Sequence, residues 1–326
     1  MSGISVRSWI SSIADRGREL LDLPISTPQD SFTQLSAMCK DLVSQKGEAR
    51  GTAVAREVVR LWENLPEEDH LRFFQMMQND FSADRTKVSK AADAFAKDPS
   101  ETNLAALTQA SEPARQELLR RINMAPGGTR AIVDMRETLI GLLKTNRDLE
   151  PLNADMQHLL TSWFNRGFLE LRHIDWDTSA AILEKLIRYE AVHEIQGWDD
   201  LRRRLATDRK CFAFFHPAIP DDPLIFVEVA LVHGLADSVQ ALLAPEIDEK
   251  APETAKTAIF YSISNCQAGL KGISFGNFLI KQVVEELKRE FPQLKQFATL
   301  SPIPGFMGWL RTRQKSKADD ADLAGQ

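Results

Sequence analysis

The residue types best suited to chemistry fall in two short stretches of the C-terminal half. The first is residues 257–280, TAIFYSISNCQAGLKGISFGNFLI. A β-rich run enters a glycine-containing loop, and the loop opens a helix. A helix start leaves free backbone N–H groups, and the helix dipole adds partial positive charge there. Phosphate or pyrophosphate is the natural ligand of such a start. Gly272 and Gly276 lack side chains, which lets a phosphate approach the backbone, and Lys271 offers a countercharge. The stretch is neither a P-loop nor GxGxxG, and its spacing equally suits an ordinary strand–loop–helix connection. The second stretch is residues 299–306, TLSPIPGF. Pro302 biases Ser301 toward extended backbone, Pro302 and Pro304 each lock φ, and Gly305 suits a type II turn. A serine held at the end of a strand by a stiff segment is preorganised for catalysis, and a rigid loop with an incidental serine reads the same way.

Other elements must position these stretches. Residues 52–64 place Val54, Val58, Leu61 and Trp62 at helical spacing. Pro66, Glu67 and Glu68 read as the start of a further helix bearing Leu71, Phe74, Met77 and Phe81 near one face. Met76, Met77 and the nearby phenylalanines are read as core rather than as a binding stripe. Helical pattern continues over 102–123 and 130–144, on either side of the breaker Ala125-Pro126-Gly127-Gly128. From about residue 168 the character changes. A helix over 178–192 turns Ile182, Leu183, Leu186 and Ile187 to one face. Runs 211–215 and 224–232 flank the turn HPAIPDDP as an antiparallel pair. Residues 245–256 read as an exposed loop, 257–264 as a strand, the stretch from Gly276 to Pro292 as a helix, and 296–300 as a strand. The tail after Leu310 reads as polar and frayed.

Composition bounds the rest. A chain of 326 residues suggests two domains, and 43% hydrophobic with 26% charged residues fits a globular protein. Forty basic against forty-six acidic residues give a net charge of -6, which argues against nucleic acid as a partner. No apolar run is long enough to span a membrane, and the N-terminus has no secretory pattern. Cys39, Cys211 and Cys266 form no CxxC pair, so a reducing cytoplasm is expected. No histidine pair has metal-ligand spacing, and no metal site is expected. His216 and His233 read as turn histidines or as proton donors near a site. Glu228, inside an apolar strand, reads either as a buried acid or as a solvent-facing residue of an antiparallel sheet. Cys266 is read as non-catalytic.

The runs FFHPAIPDDPLIFVEVALVHG, AIFYSISNCQAGLKGISFGNFLIKQVVEELKREFPQLKQFATLSPIPGF and, upstream, FLELRHIDWDTSAAILEKLIRYEAVHEIQGWDDLRRRL closely resemble the malonyl-CoA decarboxylase family. The resemblance is dense over about 168–310. It implies an α+β protein: an all-α helical domain over 1–160 used in self-association, then over 161–326 a partial catalytic domain with a mixed sheet similar to the GNAT-type N-acetyltransferase fold. It implies malonyl-CoA as substrate, acetyl-CoA and CO₂ as products, a homo-oligomer, and neither an organic cofactor nor a metal. By matching positions it assigns Lys271, Gly272, Ile273, Ser274, Phe275, Gly276, Asn277 and Ile280 to coenzyme A binding and Ser301 to catalysis. Ser274 stands where some relatives carry an acid. The family's histidine lies well beyond SPIPGF, whereas this chain ends 20 residues after Phe306, so little turnover is expected from these residues alone. The competing readings are an acyl-CoA acyltransferase, because the fold resembles one that moves acyl groups, and a non-catalytic coenzyme A-binding or assembly protein.

Overall fold

Apolar periodicity of 3.6 governs the first half, near-continuous apolar runs mark the central strands of the second, and the computed structural model buries those strands on both faces. It describes residues 31–44, 48–275, 278–301, 303 and 305–323. Among the described residues, eight α-helices come first: α1 (Ser31–Ser44), α2 (Glu48–Glu63), α3 (Glu67–Asp80), α4 (Arg85–Lys97), α5 (Glu101–Ser111), α6 (Ala114–Asn123), α7 (Gly128–Leu142) and α8 (Glu150–Trp163). Val54, Val58, Leu61 and Trp62 are all buried, as their spacing requires. On α3 the buried stripe is wider than expected: Phe73 and Met76 join Phe74 and Met77, while Leu71 is only half-buried. Both methionines are core. Gly127 sits at φ 77° just before α7, so the breaker cluster works by a left-handed residue that glycine adopts without strain.

Three expectations need correction. Residues 102–123 are two helices, not one. Pro113 has no N–H to donate, and it holds Glu112 extended (φ -69°, ψ 120°). Residues 245–256 are not wholly an exposed loop: Ala251–Thr254 is a short helix, and Ala251 and Ala255 are fully buried. The tail is helical over Phe306–Leu323, a run without proline and rich in good helix formers.

The second half holds β1 (Glu170–Ile174), α9 (Ala180–Tyr189), α10 (Trp198–Arg204), β2 (Arg209–Phe215), β3 (Ile225–Val232), α11 (Val239–Leu243), α12 (Ala251–Thr254), β4 (Thr257–Asn265), α13 (Phe278–Glu290), β5 (Gln296–Thr299) and α14 (Phe306–Leu323). The strands form one sheet in the order β1-β2-β3-β4-β5. β2, β3 and β4 pair antiparallel; β5 lies parallel to β4 after the α13 crossover. This is the expected α+β class, with a GNAT-like β4–loop–α13–β5 unit. Tyr261 is an extra residue opposite the Glu228–Val229 step, a β-bulge in the middle of β4.

By contact the chain forms two compact units that interleave in sequence. One comprises Met1–Glu170, Phe215–Asp222 and Gln267–Gly276; the other comprises Leu171–Phe214, Pro223–Cys266 and Asn277–Gln326. The first unit therefore contains the helical half together with the loop that follows β4.

Candidate active site

The loop after β4 owes its shape to its own sequence and to helices α7 and α8. Gln267 is buried, and its Oε1 accepts from Arg130 Nη1 at 2.6 Å. A 3-10 turn spans Ala268–Leu270, and Lys271 N–H donates to the Ala268 carbonyl at 3.1 Å. Gly269 lies directly on α7: a Cβ there would fall 2.0 Å from the Val133 carbonyl oxygen, so only glycine fits. Gly272 turns the chain at φ 81°. Its carbonyl accepts from Gln157 Nε2 of α8 at 3.2 Å. Leu270, Ile273 and Phe275 are buried, while Lys271, Gly272 and Ser274 are exposed. Three apolar anchors thus hold the loop, and its cationic and hydroxyl side chains stand on its exposed side. Gly276 and Asn277 lie outside the described residues.

Beneath this loop is Arg136 of α7, only 2% exposed. Its Nη1 donates to the Gly269 carbonyl at 2.6 Å, its Nε to Asn153 Oδ1 at 3.1 Å and its Nη2 to Gln157 Oε1 at 3.4 Å. Burial draws its pKa down from the ordinary arginine value.

In the other unit, Ile280 is half-buried on the first turn of α13. Ser301 follows β5. Leu300 N–H donates to the Phe260 carbonyl at 2.8 Å, and the Leu300 side chain packs on the cluster Ala230, Leu242, Ile259 and Tyr261. The residue before Ser301 is therefore anchored, while Ser301 itself is exposed and its hydroxyl has no hydrogen bond among the described residues. Pro302 and Pro304, expected to stiffen this segment, lie outside the described residues. The β5 ladder ends at the Phe260–Thr299 pair, whereas β4 runs on to Asn265. The described loop residues Lys271, Gly272, Ile273, Ser274 and Phe275 thus fall in one compact unit, and Ile280 and Ser301 in the other.

The other candidates resolve differently. His216 is buried; its Nδ1 accepts from Ala218 N–H at 3.1 Å, and its Nε2 lies 3.1 Å from the Trp163 carbonyl. Burial lowers its pKa, so a neutral ring donating from Nε2 fits, and it is a turn histidine. His233 is exposed at the surface beside Asp248, 3.3 Å away. Cys266 is buried, and the thiols of Cys39 and Cys211 are raised by burial, Cys39 to about 12. Among the described residues no group of three or more His, Cys, Asp or Glu side chains is arranged to hold a metal.

Glu228 does not face solvent. It is 1% exposed and pairs with Arg204 Nη1 at 2.7 Å. Opposite it on β4 is Ser262, whose hydroxyl, with that of Ser264, donates to the buried Glu190 carboxylate. Glu190 also accepts from the N–H groups of Val192 and His193. The sequence reading missed this network. Its signal was the alternation Ser262, Ser264 in a strand next to Glu228.

Burial pushes Glu228 up to about 7 against the pull of Arg204, with Glu190 raising it further. Burial alone would lower Arg204, but Glu228 and its neighbours Tyr261 and Asp200 hold it above its ordinary value. A carboxyl raised on folding gives stability that is full below its unfolded value of 4.5 and fades as pH rises to about 7. Glu228→Gln should therefore gain on the wild type as pH rises through that window. Urea midpoints of the two proteins across that range check this, and parallel curves would contradict it. Arg204→Met, which takes the buried cation from Glu228 and Asp200, should cost about 3–5 kcal/mol at neutral pH.

A helical region followed by a mixed sheet with a strand–loop–helix–strand unit defines a two-part α+β protein with a GNAT-like second part. Comparison with known proteins gives the family. The model for the malonyl-CoA decarboxylase N-terminal domain matches residues 81–164, and that for the malonyl-CoA decarboxylase C-terminal domain matches 167–325. The crystal structure of malonyl-CoA decarboxylase from Rhodopseudomonas palustris superposes with a TM-score of 0.82 at 50% identity, covering 88% of this chain and 70% of that one. The one from Agrobacterium vitis gives 0.81 at 53% identity, covering 85% and 68%. The mitochondrial malonyl-CoA decarboxylase of Anser anser anser is 36% identical over 248 residues, 72% of this chain and 49% of that protein. The chain belongs to the malonyl-CoA decarboxylase family. It spans about half the length of the curated relatives it matches. No helix among the described residues is long and apolar enough to cross a membrane.

Proposed function

We propose that this protein binds malonyl-CoA and converts it to acetyl-CoA and CO₂. The observation that carries the reading is the loop after β4: backbone pinned by α7 and α8, apolar side chains buried, Lys271 and Ser274 exposed, at the entry to α13. On this reading Lys271, Gly272, Ile273, Ser274 and Phe275, with Gly276, Asn277 and Ile280, hold the coenzyme A end. The positive potential of a helix entry suits its phosphates. No cofactor is required, because the thioester carbonyl is itself an electron sink. The C–C bond to the carboxylate breaks, CO₂ leaves, and the electron pair passes into the thioester enolate. The enolate carbon then takes a proton from water, which leaves hydroxide to the solvent. Ser301 supplies a hydroxyl that donates to the enolate oxygen or orients the departing carboxylate. It forms no acyl-enzyme, since decarboxylation needs none.

The same reading places the protein in the cytoplasm, in keeping with three buried cysteines that form no disulfide. It also assigns self-association to the helical half, which exposes Leu104 and Met124. The test is chromatography of a malonyl-CoA reaction without acyl acceptor, with CO₂ trapped, run on the chain extended with the C-terminal segment of a close relative. Equimolar acetyl-CoA and CO₂ support the proposal; acyl transfer only when an acceptor is added would overturn it. Light scattering of the whole chain tests association, and a monomer at high concentration contradicts it.

A further inference from the structure

We propose that Arg136, in the helical half, is a positioning residue for coenzyme A: it fixes the loop Gln267–Phe275 from beneath and supplies the positive charge that favours a polyanionic ligand on it. The proposal rests on the reading of that loop as a coenzyme A site.

The first ground is geometric. Arg136 spends its guanidinium on the Gly269 carbonyl and on Gln157, and Gln157 in turn holds the Gly272 carbonyl. One side chain thereby secures both glycines of the loop. The second ground is the charge. All three acceptors are neutral oxygens, and no carboxylate among the described residues lies in ion-pair contact with this guanidinium, although Arg115, Arg203 and Arg204, buried but each less deeply, all pair with acids. A buried cation without a counter-ion is costly, and a neutral glutamine could make comparable amide contacts. Retention of the charge makes sense if an anion arrives on the far side of the loop. The interior screens charge less than water does, so the field reaches the loop surface. Arg136 stands among the apolar residues Ile132, Val133, Met135 and Leu139, all fully buried, so solvent does not quench it. On this view the helical half builds part of the binding site in addition to any role in assembly.

The test uses the whole chain and four proteins: wild type, Arg136→Gln, Arg136→Lys and Gln157→Ala. Amide exchange over 267–275 is read without ligand, and affinity is read for acetyl-CoA and for acetyl-pantetheine, which lacks the nucleotide and its phosphates. In Arg136→Gln, exchange of the loop should accelerate by about tenfold or more. Acetyl-CoA should bind at least about tenfold more weakly, while acetyl-pantetheine changes by less than about twofold. Arg136→Lys, which keeps the charge without the planar fork, should recover part of the acetyl-CoA affinity. Unchanged loop exchange in a folded Arg136→Gln, or equal weakening of both ligands, overturns the proposal. If Arg136→Gln fails to fold, Gln157→Ala decides: faster exchange over 271–275 supports the clamp and unchanged exchange overturns it. A wild type that binds neither ligand removes the functional reading, and the exchange arm still decides whether Arg136 holds the loop.

Discussion

Replacing Ser301 with alanine is expected to lower kcat for malonyl-CoA decarboxylation by at least about tenfold, with the affinity for acetyl-CoA nearly unchanged. The residue before it is tied to Phe260 and packs, partly buried, against the core cluster. The hydroxyl is exposed and makes no hydrogen bond among the described residues, so its removal costs the fold little. On the proposed function, what is lost is a donor to charge that develops only in the transition state. A loss in kcat without a loss in binding is the signature of such a contact. The experiment compares CO₂ release by residues 1–326, by the same chain extended with the C-terminal segment of a close relative, and by the extended chain carrying Ser301→Ala. Equal rates in the last two would remove Ser301 from the mechanism.

A second large effect is expected at Gly269. An alanine Cβ would sit 2.0 Å from the Val133 carbonyl oxygen and 2.8 Å from its carbon, both backbone atoms of α7. Neither can swing aside, so the 3-10 turn must lift off the helix. Overpacking of this kind costs about 1–3 kcal/mol. The shift also breaks the Arg136 bond to the Gly269 carbonyl, and a charge-assisted bond is worth about 1.5–3 kcal/mol. Gly269→Ala should therefore lower the melting temperature by several degrees and weaken acetyl-CoA binding by at least about tenfold. Gly272→Ala is the informative comparison. Its Cβ would meet only the end of the Gln157 side chain, 3.3 Å away, and the cost is mainly the left-handed φ, about 1–2 kcal/mol. The account predicts the larger loss at 269; the reverse order would mean that α7 does not hold the loop.

Much of this was legible in the residues. Val54, Val58, Leu61 and Trp62 gave a helix face, and the β2–β3 pair could be read from two apolar runs around HPAIPDDP. The strand–loop–helix at 257–290 could be read from the switch of hydrophobic period across Gly272. The family resemblance rested on the same stretch and on SPIPGF. What was not legible depends on contacts between residues far apart in the chain. Arg136 looks like any helix arginine until Gly269, 133 positions later, is laid on α7. The one local sign was a cation at the spacing of Ile132 and Leu139, both fully buried. Glu228 remained ambiguous because nothing local says that both faces of β3 are covered, as they are from Ile225 to Leu231. Helix α14 was misread because polarity was taken for fraying, although propensity alone favours a helix there.

The account turns on coenzyme A meeting the loop after β4. The most direct measurement is calorimetric titration of acetyl-CoA into the whole chain and into Gly272→Asp, which puts an anion and a strained φ where the phosphates would approach. The account predicts one saturable site in the wild type and loss of nearly all heat in the variant. Equal affinity in the two proteins, with both folded, would contradict it.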